Sequence, residues 1–219
     1  MSDSFIFGAI FDWDGVLIDS SSHHEESWRA LVLENGRKFS PDFFKKSFGM
    51  KNNRIIPEVL GWTQDPVEIK KISDRKIVKK RPLQALPGAV QWVTELKAKE
   101  IPRVIASSTD RKNIELGLQI IGLDGFFTEI VSAEDVNQGK PNPDVFLKAA
   151  EKIKMLPREC IVFEDAHVGI EAARRAHIKV VALMTTHSKE SLHEADYIIE
   201  NLEEMNFEIA QKTLNPSST

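Results

Sequence analysis

The chain has 219 residues, 29 Lys and Arg against 33 Asp and Glu for a net charge of −4, and 42% apolar residues, the profile of a globular chain able to bury roughly 70% of its unfolded surface without a disulfide or metal staple. A single cysteine, Cys160, excludes an intrachain disulfide and a cysteine-based zinc site; the mild acidity argues against a nucleic-acid binder, and no apolar run approaches the ~18 residues of a membrane helix. Met1–Ser4 lack the basic and long apolar stretches of a signal peptide, so a cytoplasmic monomer that needs no partner to fold is the expectation.

Phe5–Phe11 is a continuous apolar run ended by Asp12-Trp13-Asp14-Gly15, which predicts a central strand buried on both faces. From Leu17 to Leu86 the chain turns polar, and Trp28, Leu31 and Val32 recur at helical spacing, so 17–86 reads as an inserted unit of four or five helices. Pro87-Gly88 punctuates its end, and strands then alternate with helices. The predicted strands are Arg103–Ala106, Glu129–Val131, Ile161–Phe163, Lys179–Leu183 and Tyr197–Ile199. Helices are expected around Ala89–Leu96, around Ile114–Ile121, from Asn142-Pro143 with Asn as cap, and over Gly169–Ala176. The tail after Gln211 reads as frayed.

Strands spaced by helices predict a doubly wound parallel α/β sheet, a Rossmann-like three-layer core over 1–16 and 87–219 interrupted by the helical unit at 17–86. Ligands of such sheets bind outside the carboxyl ends of the strands. Those ends carry Asp12 and Asp14, Ser107–Thr109, the loop around Lys140, and Glu164 with Asp165.

That set has a coherent chemistry. Clustered carboxylates repel one another unless a cation sits among them, and all-oxygen ligands with a phosphate suit Mg²⁺. A lysine and hydroxyls complete a pocket for a phosphoryl group. One aspartate can attack phosphorus to give an aspartyl-phosphate, and a carboxyl group two residues on can protonate the leaving oxygen and then activate water.

Asp12-Trp13-Asp14-Gly15-Val16 resembles the first motif of the haloacid dehalogenase superfamily of phosphotransferases. Ser107 after the second strand, Gly139-Lys140-Pro141-Asn142-Pro143-Asp144, and Glu164-Asp165 with Gly169-Ile170 resemble the other three motifs, in order, and the likeness runs to about Leu202. The branch it is most similar to is the β-phosphoglucomutase-like group of phosphatases and phosphohexomutases, whose helical cap follows the first motif. The resemblance implies that Asp12 is the nucleophile and a Mg²⁺ ligand. It makes Asp14 the general acid/base and, through its backbone carbonyl, a ligand. Ser107 binds phosphate, Lys140 neutralises charge, and Asp165 ligates the metal with Glu164 as ligand or neighbour. Ser108 and Gly15 are read as substrate contacts beside them. His24, four residues before Trp28, matches a cap histidine that faces the site in the family. The basic run Arg75, Lys76, Lys79, Lys80, Arg81 reads as a solvated helix face.

These features imply a Mg²⁺-dependent phosphatase acting on a small phosphorylated metabolite such as a sugar phosphate. The alternative is a phosphohexomutase, but the mutase pattern has a cap arginine where this chain has Asn52, with Lys51 and Arg54 as nearby substitutes. Asp14 disfavours a dehalogenase. From other classes, a phospho-acceptor receiver would be shorter and lack the insertion, and a silent phosphate-binding homologue would not need the full motif set.

Overall fold

The computed structural model describes residues 6–19, 21–40, 42–47, 50–75 and 83–215. The apolar runs form six parallel strands: β1 (Gly8–Phe11), β2 (Arg103–Ala106), β3 (Glu129–Val131), β4 (Cys160–Glu164), β5 (Lys179–Leu183) and β6 (Tyr197–Ile199). The helices are α1 (Ser21–Glu34), α2 (Phe43–Ser47), α3 (Asn52–Arg54, running on as a π-helical stretch Ile55–Val59), α4 (Pro66–Arg75), α5 (Ala89–Ala98), α6 (Arg111–Ile120), α7 (Asp144–Lys152), α8 (His167–Arg175) and α9 (Phe207–Leu214). The sheet order is β3-β2-β1-β4-β5-β6.

Alternate strand residues point to opposite faces, and both faces are covered. Ala9, Phe11, Ile105, Phe163, Val181 and Leu183 pack with residues of α5, α6 and α9, while Ile10, Val104, Val162, Val180 and Ala182 pack with those of α7 and α8. The expected three-layer α/β/α arrangement is therefore present. From β1 the chain winds outward to β2 and β3, then returns to β4 on the other side. The crevice between the carboxyl ends of β1 and β4 is the topological switch point. There the two strands run in register, Phe11 beside Phe163, and the Asp12 N–H donates to the Phe163 carbonyl at 3.0 Å.

Several boundaries differ from the sequence reading, β4 (Cys160–Glu164) and α8 (His167–Arg175) by a residue or two at each end. β1 begins at Gly8, since Phe7 is buried in the core but outside the ladder. α7 begins at Asp144, with the Asn142 side chain accepting from the Asp144 N–H at 2.9 Å. The segment read as a frayed tail instead carries α9 to Leu214, capped by Asn206, whose side chain accepts from the Ile209 N–H at 3.0 Å. Residues 216–219 lie outside the described residues, as do Lys76, Lys79, Lys80 and Arg81 of the basic run.

Between β1 and α5, helices α1 to α4 gather around their own apolar cluster of Trp28, Leu31, Phe43, Ile55 and Ile56. Pro57 has no N–H to give to the turn before it, and the chain widens there into the π-helical stretch. The connections into and out of this unit run side by side: the Leu86 N–H donates to the Leu17 carbonyl at 3.0 Å, and the Asp19 N–H to Gln84 at 3.1 Å. No helix among the described residues is long and apolar enough to cross a membrane.

Candidate active site

The turn after β1 aims two carboxylates one way and an indole the other. Trp13 is buried in the core, and a Cβ on Gly117 of α6 would stand 2.3 Å from its ring. Glycine in mid-helix thus lets α6 close onto Trp13, which anchors the turn between Asp12 and Asp14.

Asp12 is buried, and its Oδ2 lies 2.9 Å from Nζ of Lys140. The same Nζ donates to Oε1 of Glu164 at 2.7 Å. The ammonium is thus clamped between two carboxylates, with the Phe146 ring centroid 4.9 Å away. Burial alone would lower the Lys140 ammonium, but the Asp12 and Glu164 charges outweigh it and hold the group above its ordinary range. The other Glu164 oxygen accepts from the N–H groups of Asp165 and Ala166 at 2.6 and 2.7 Å. Both of its oxygens are therefore engaged, although it stands within the acidic cluster.

Asp165 is held from its far side by the loop after β5. Oγ1 of Thr186 is 2.8 Å from Asp165 Oδ2 and 2.9 Å from its carbonyl oxygen, which His187 Nδ1 approaches at 3.1 Å. Thr185 donates to the Gly15 carbonyl at 2.6 Å, tying that loop to the turn after β1.

One ligand atom from each of Asp12, Glu164 and Asp165 lies within 4.8 Å of the others. Oδ1 of Asp12 and Oδ1 of Asp165 are buried without a hydrogen-bond partner among the described residues. Burial pushes the Asp12 carboxyl from the ordinary 3.8 up to about 7 against the pull of Lys140, with Glu164 and Asp14 adding to the rise. Burial, then Glu164 and Asp12, raise Asp165 well above the carboxylate range. Three buried carboxylates facing one lysine, two with an oxygen unpaired, make a cradle for a hard divalent cation. The donor set fits Mg²⁺.

Asp14 is half-buried, and its Oδ2 accepts from the Thr109 hydroxyl at 2.6 Å. Ser107 is buried at the end of β2, where its Oγ accepts from the Thr109 N–H at 3.1 Å. The carboxyl ends of β1, β2 and β4 and the Lys140 loop thus bring Asp12, Asp14, Ser107, Lys140, Glu164 and Asp165 to one end of the sheet. Gly15 stands there at φ 77°, with its missing side chain facing Asp165. Ser108 follows Ser107 in the same loop. His24 falls on α1 in a stretch whose side chains lie outside the described residues. Sequence reasoning gathered Thr109 with Ser107 and Ser108 at the end of the second strand but gave it no role of its own, and it missed Thr185, Thr186 and His187. The strand-end rule applied to β5 would have found those three.

A family model described as haloacid dehalogenase-like hydrolase matches residues 9–183. The chloroplastic 5-amino-6-(5-phospho-D-ribitylamino)uracil phosphatase of Arabidopsis thaliana is 36% identical over 208 residues, 90% of this chain but 55% of that protein. The chain thus spans about half the length of that relative. A phosphorylated carbohydrates phosphatase of Thermotoga maritima is 29% identical over 175 residues, 78% of this chain and 81% of the other. The crystal structure of β-phosphoglucomutase from Clostridium difficile superposes with a TM-score of 0.83 at 25% identity, over 96% of this chain and 98% of that one.

Proposed function

The chain belongs to the haloacid dehalogenase-like hydrolase family, and from that membership we propose that it is a Mg²⁺-dependent phosphatase of a small phosphorylated metabolite, a sugar phosphate in the first instance. One observation carries the reading. Asp12 is a buried carboxylate at the mouth of the sheet with one oxygen fixed by Lys140 and the other without a partner among the described residues. A structural carboxylate would have both oxygens satisfied.

In this reading Asp12 attacks phosphorus in line. The Asp12–phosphorus bond forms as the bond from phosphorus to the leaving oxygen breaks. Asp14, steadied by Thr109, delivers a proton to the departing alcohol. It then takes a proton from a water whose oxygen attacks phosphorus, freeing inorganic phosphate and restoring Asp12. Lys140 stays between Asp12 and Glu164 and offsets charge on the transferring group. Ser107 and Ser108 donate to the phosphoryl oxygens. Asp12, Asp165 and the Asp14 carbonyl would hold Mg²⁺, whose charge screens the nucleophile from the phosphate dianion. Glu164, with both oxygens engaged, sets Lys140 and the Asp165 backbone. Residues 17–86 act as a cap hinged where Leu17–Asp19 and Gln84–Leu86 run together, and it excludes water and contacts the substrate, His24 included.

A phosphohexomutase shares the first half-reaction, and the likeness to β-phosphoglucomutase supports it. Hydrolysis is favoured because Lys51 and Arg54, the cations beside Asn52, are turned onto core carbonyls. The relatives at 36% and 29% identity are also named as phosphatases. The test is phosphate release from a panel of sugar and other metabolite phosphates, in Mg²⁺ or chelator, with Asp12→Asn alongside. Metal-dependent release abolished by Asp12→Asn supports the reading. Conversion of β-glucose 1-phosphate to glucose 6-phosphate without release makes the chain a mutase. Silence on every substrate favours a binding-only protein.

A further inference from the structure

Lys51 precedes α3, Arg54 ends it, and both side chains cross from the helical insertion to a single stretch of the core. Nζ of Lys51 donates to the carbonyls of Ala133 and Val136 at 2.8 and 3.3 Å. Its methylenes lie over Gly139, where a Cβ would come within 3.0–3.1 Å of Lys51 Cδ, Cε and Cγ. Nη1 of Arg54 donates to the carbonyl of Lys140 itself at 2.9 Å. The rest of that guanidinium is held by Glu58, with Nε at 2.8 Å and Nη2 at 2.6 Å from its two oxygens. The charges match across the contact: Glu134 and Asp110 of the core face Lys51, and Glu171 of α8 faces Arg54.

We propose that Lys51 and Arg54 are positioning residues, a two-point clasp that seats segment 133–142, and so the Lys140 side chain, whenever the insertion lies against the core. Three carbonyls of that segment are held, and Gly139 is the residue that lets the lysine stem pass next to Lys140. Closure of the insertion and placement of the Lys140 ammonium then become one event. The proposal rests on the phosphatase reading for its effect on rate, but the clasp itself does not.

The test measures amide hydrogen exchange over 133–142, and kcat and KM separately on the best substrate of the panel, for the full chain. The variants are Lys51→Met, Lys51→Ala, Lys51→Arg, Arg54→Gln, Gly139→Ala, and Gly139→Ala combined with Lys51→Ala. Lys51→Met and Arg54→Gln each lose charge-assisted bonds. They are expected to speed exchange in 133–142 and lower kcat about tenfold or more, with KM moved less than about threefold. Lys51→Arg keeps the donors and retains most of the rate. Gly139→Ala lowers kcat alone but adds little in the Lys51→Ala background, because the stem it would strike is gone. Faster exchange with unchanged kcat overturns the positioning role. A lower kcat with unchanged exchange also overturns it, assigning the two cations to substrate instead. Additive effects of Gly139→Ala and Lys51→Ala remove the stem contact from the account. If the wild-type chain releases no phosphate, the reading of the site fails, while the exchange arm still decides whether the clasp exists.

Discussion

A Cβ placed on Gly15 would stand 2.0 Å from Oδ2 of Asp165. Two motifs 150 positions apart in the chain therefore interlock, and the first motif carries glycine at position 15 because the carboxylate of the fourth occupies the space of its side chain. The φ of 77° at Gly15 adds a second reason, since other residues are strained there. Gly15→Ala should destabilise the fold by at least about 1–3 kcal/mol from backbone strain alone, and it should also abolish stabilisation by Mg²⁺. Urea unfolding with and without the metal checks both.

The same reasoning reverses a familiar rule at Gly169. Alanine in place of a helical glycine ordinarily stabilises by up to ~1 kcal/mol. In α8 the new Cβ would lie 1.6 Å from Oε1 of Glu164. Gly169→Ala is therefore expected to lower the melting temperature; a rise would show that Glu164 can swing aside at no cost.

Thr186 steadies Oδ2 of Asp165 and leaves Oδ1 without a hydrogen-bond partner among the described residues. Losing an outer partner of a ligand typically weakens a metal site about 10–100-fold. Thr186→Val should weaken Mg²⁺ binding by that factor in calorimetric titration, and Thr186→Ser should restore it. Equal affinities would mean that Asp165 needs no outside support.

How much of this was legible in the chain depends on what each feature leaves behind. Continuous apolar runs such as Phe5–Phe11 and Val180–Leu183 announce buried strands, and the strand-end rule then collects Asp12, Asp14, Lys140, Glu164 and Asp165. α9 was missed although Asn206 is a readable cap, because its last residues were read with the polar tail after Gln211. Thr186 was missed because threonine after a strand is common and its partner lies 21 residues away. The Lys51 and Arg54 contacts could not be read at all. Their acceptors are backbone carbonyls 82 to 86 residues away, and a carbonyl leaves no mark on residue type.

The raised carboxyls give stability a pH dependence of definite sign. Asp12 is pushed from 3.8 to about 7. A group raised in this way contributes fully below its unfolded value, and the contribution is lost as pH rises through the folded one. In chelator the fold should therefore lose stability from about pH 4 to above 7, with Asp165 acting in the same direction. A cation bound by the ionised pair opposes that loss. The rise in melting temperature caused by Mg²⁺ should be larger at pH 8 than at pH 5.5, and it should vanish in Asp165→Asn. A rise independent of pH would place the bound metal elsewhere.

Lys140 is the counter-charge for two buried carboxylates. Breaking a buried pair by removing one partner costs about 3–5 kcal/mol, so Lys140→Met should destabilise by that order in urea unfolding. Adding Glu164→Gln should recover part of the loss by removing one of the two stranded charges. No recovery would mean that Lys140 acts through packing.

The central claim, that the Asp12 carboxylate takes the phosphoryl group, is tested most directly by trapping it. An acyl phosphate has a leaving group that needs no proton from Asp14, so an Asp14→Asn variant can still be phosphorylated but cannot activate water. Acid quench of that variant with acetyl phosphate and Mg²⁺, followed by peptide mass mapping, should place a hydroxylamine-labile phosphoryl group on Asp12, absent in chelator and in the Asp12→Asn, Asp14→Asn double variant. A phosphoryl group on another residue, or phosphate release that survives Asp12→Asn, would contradict the account.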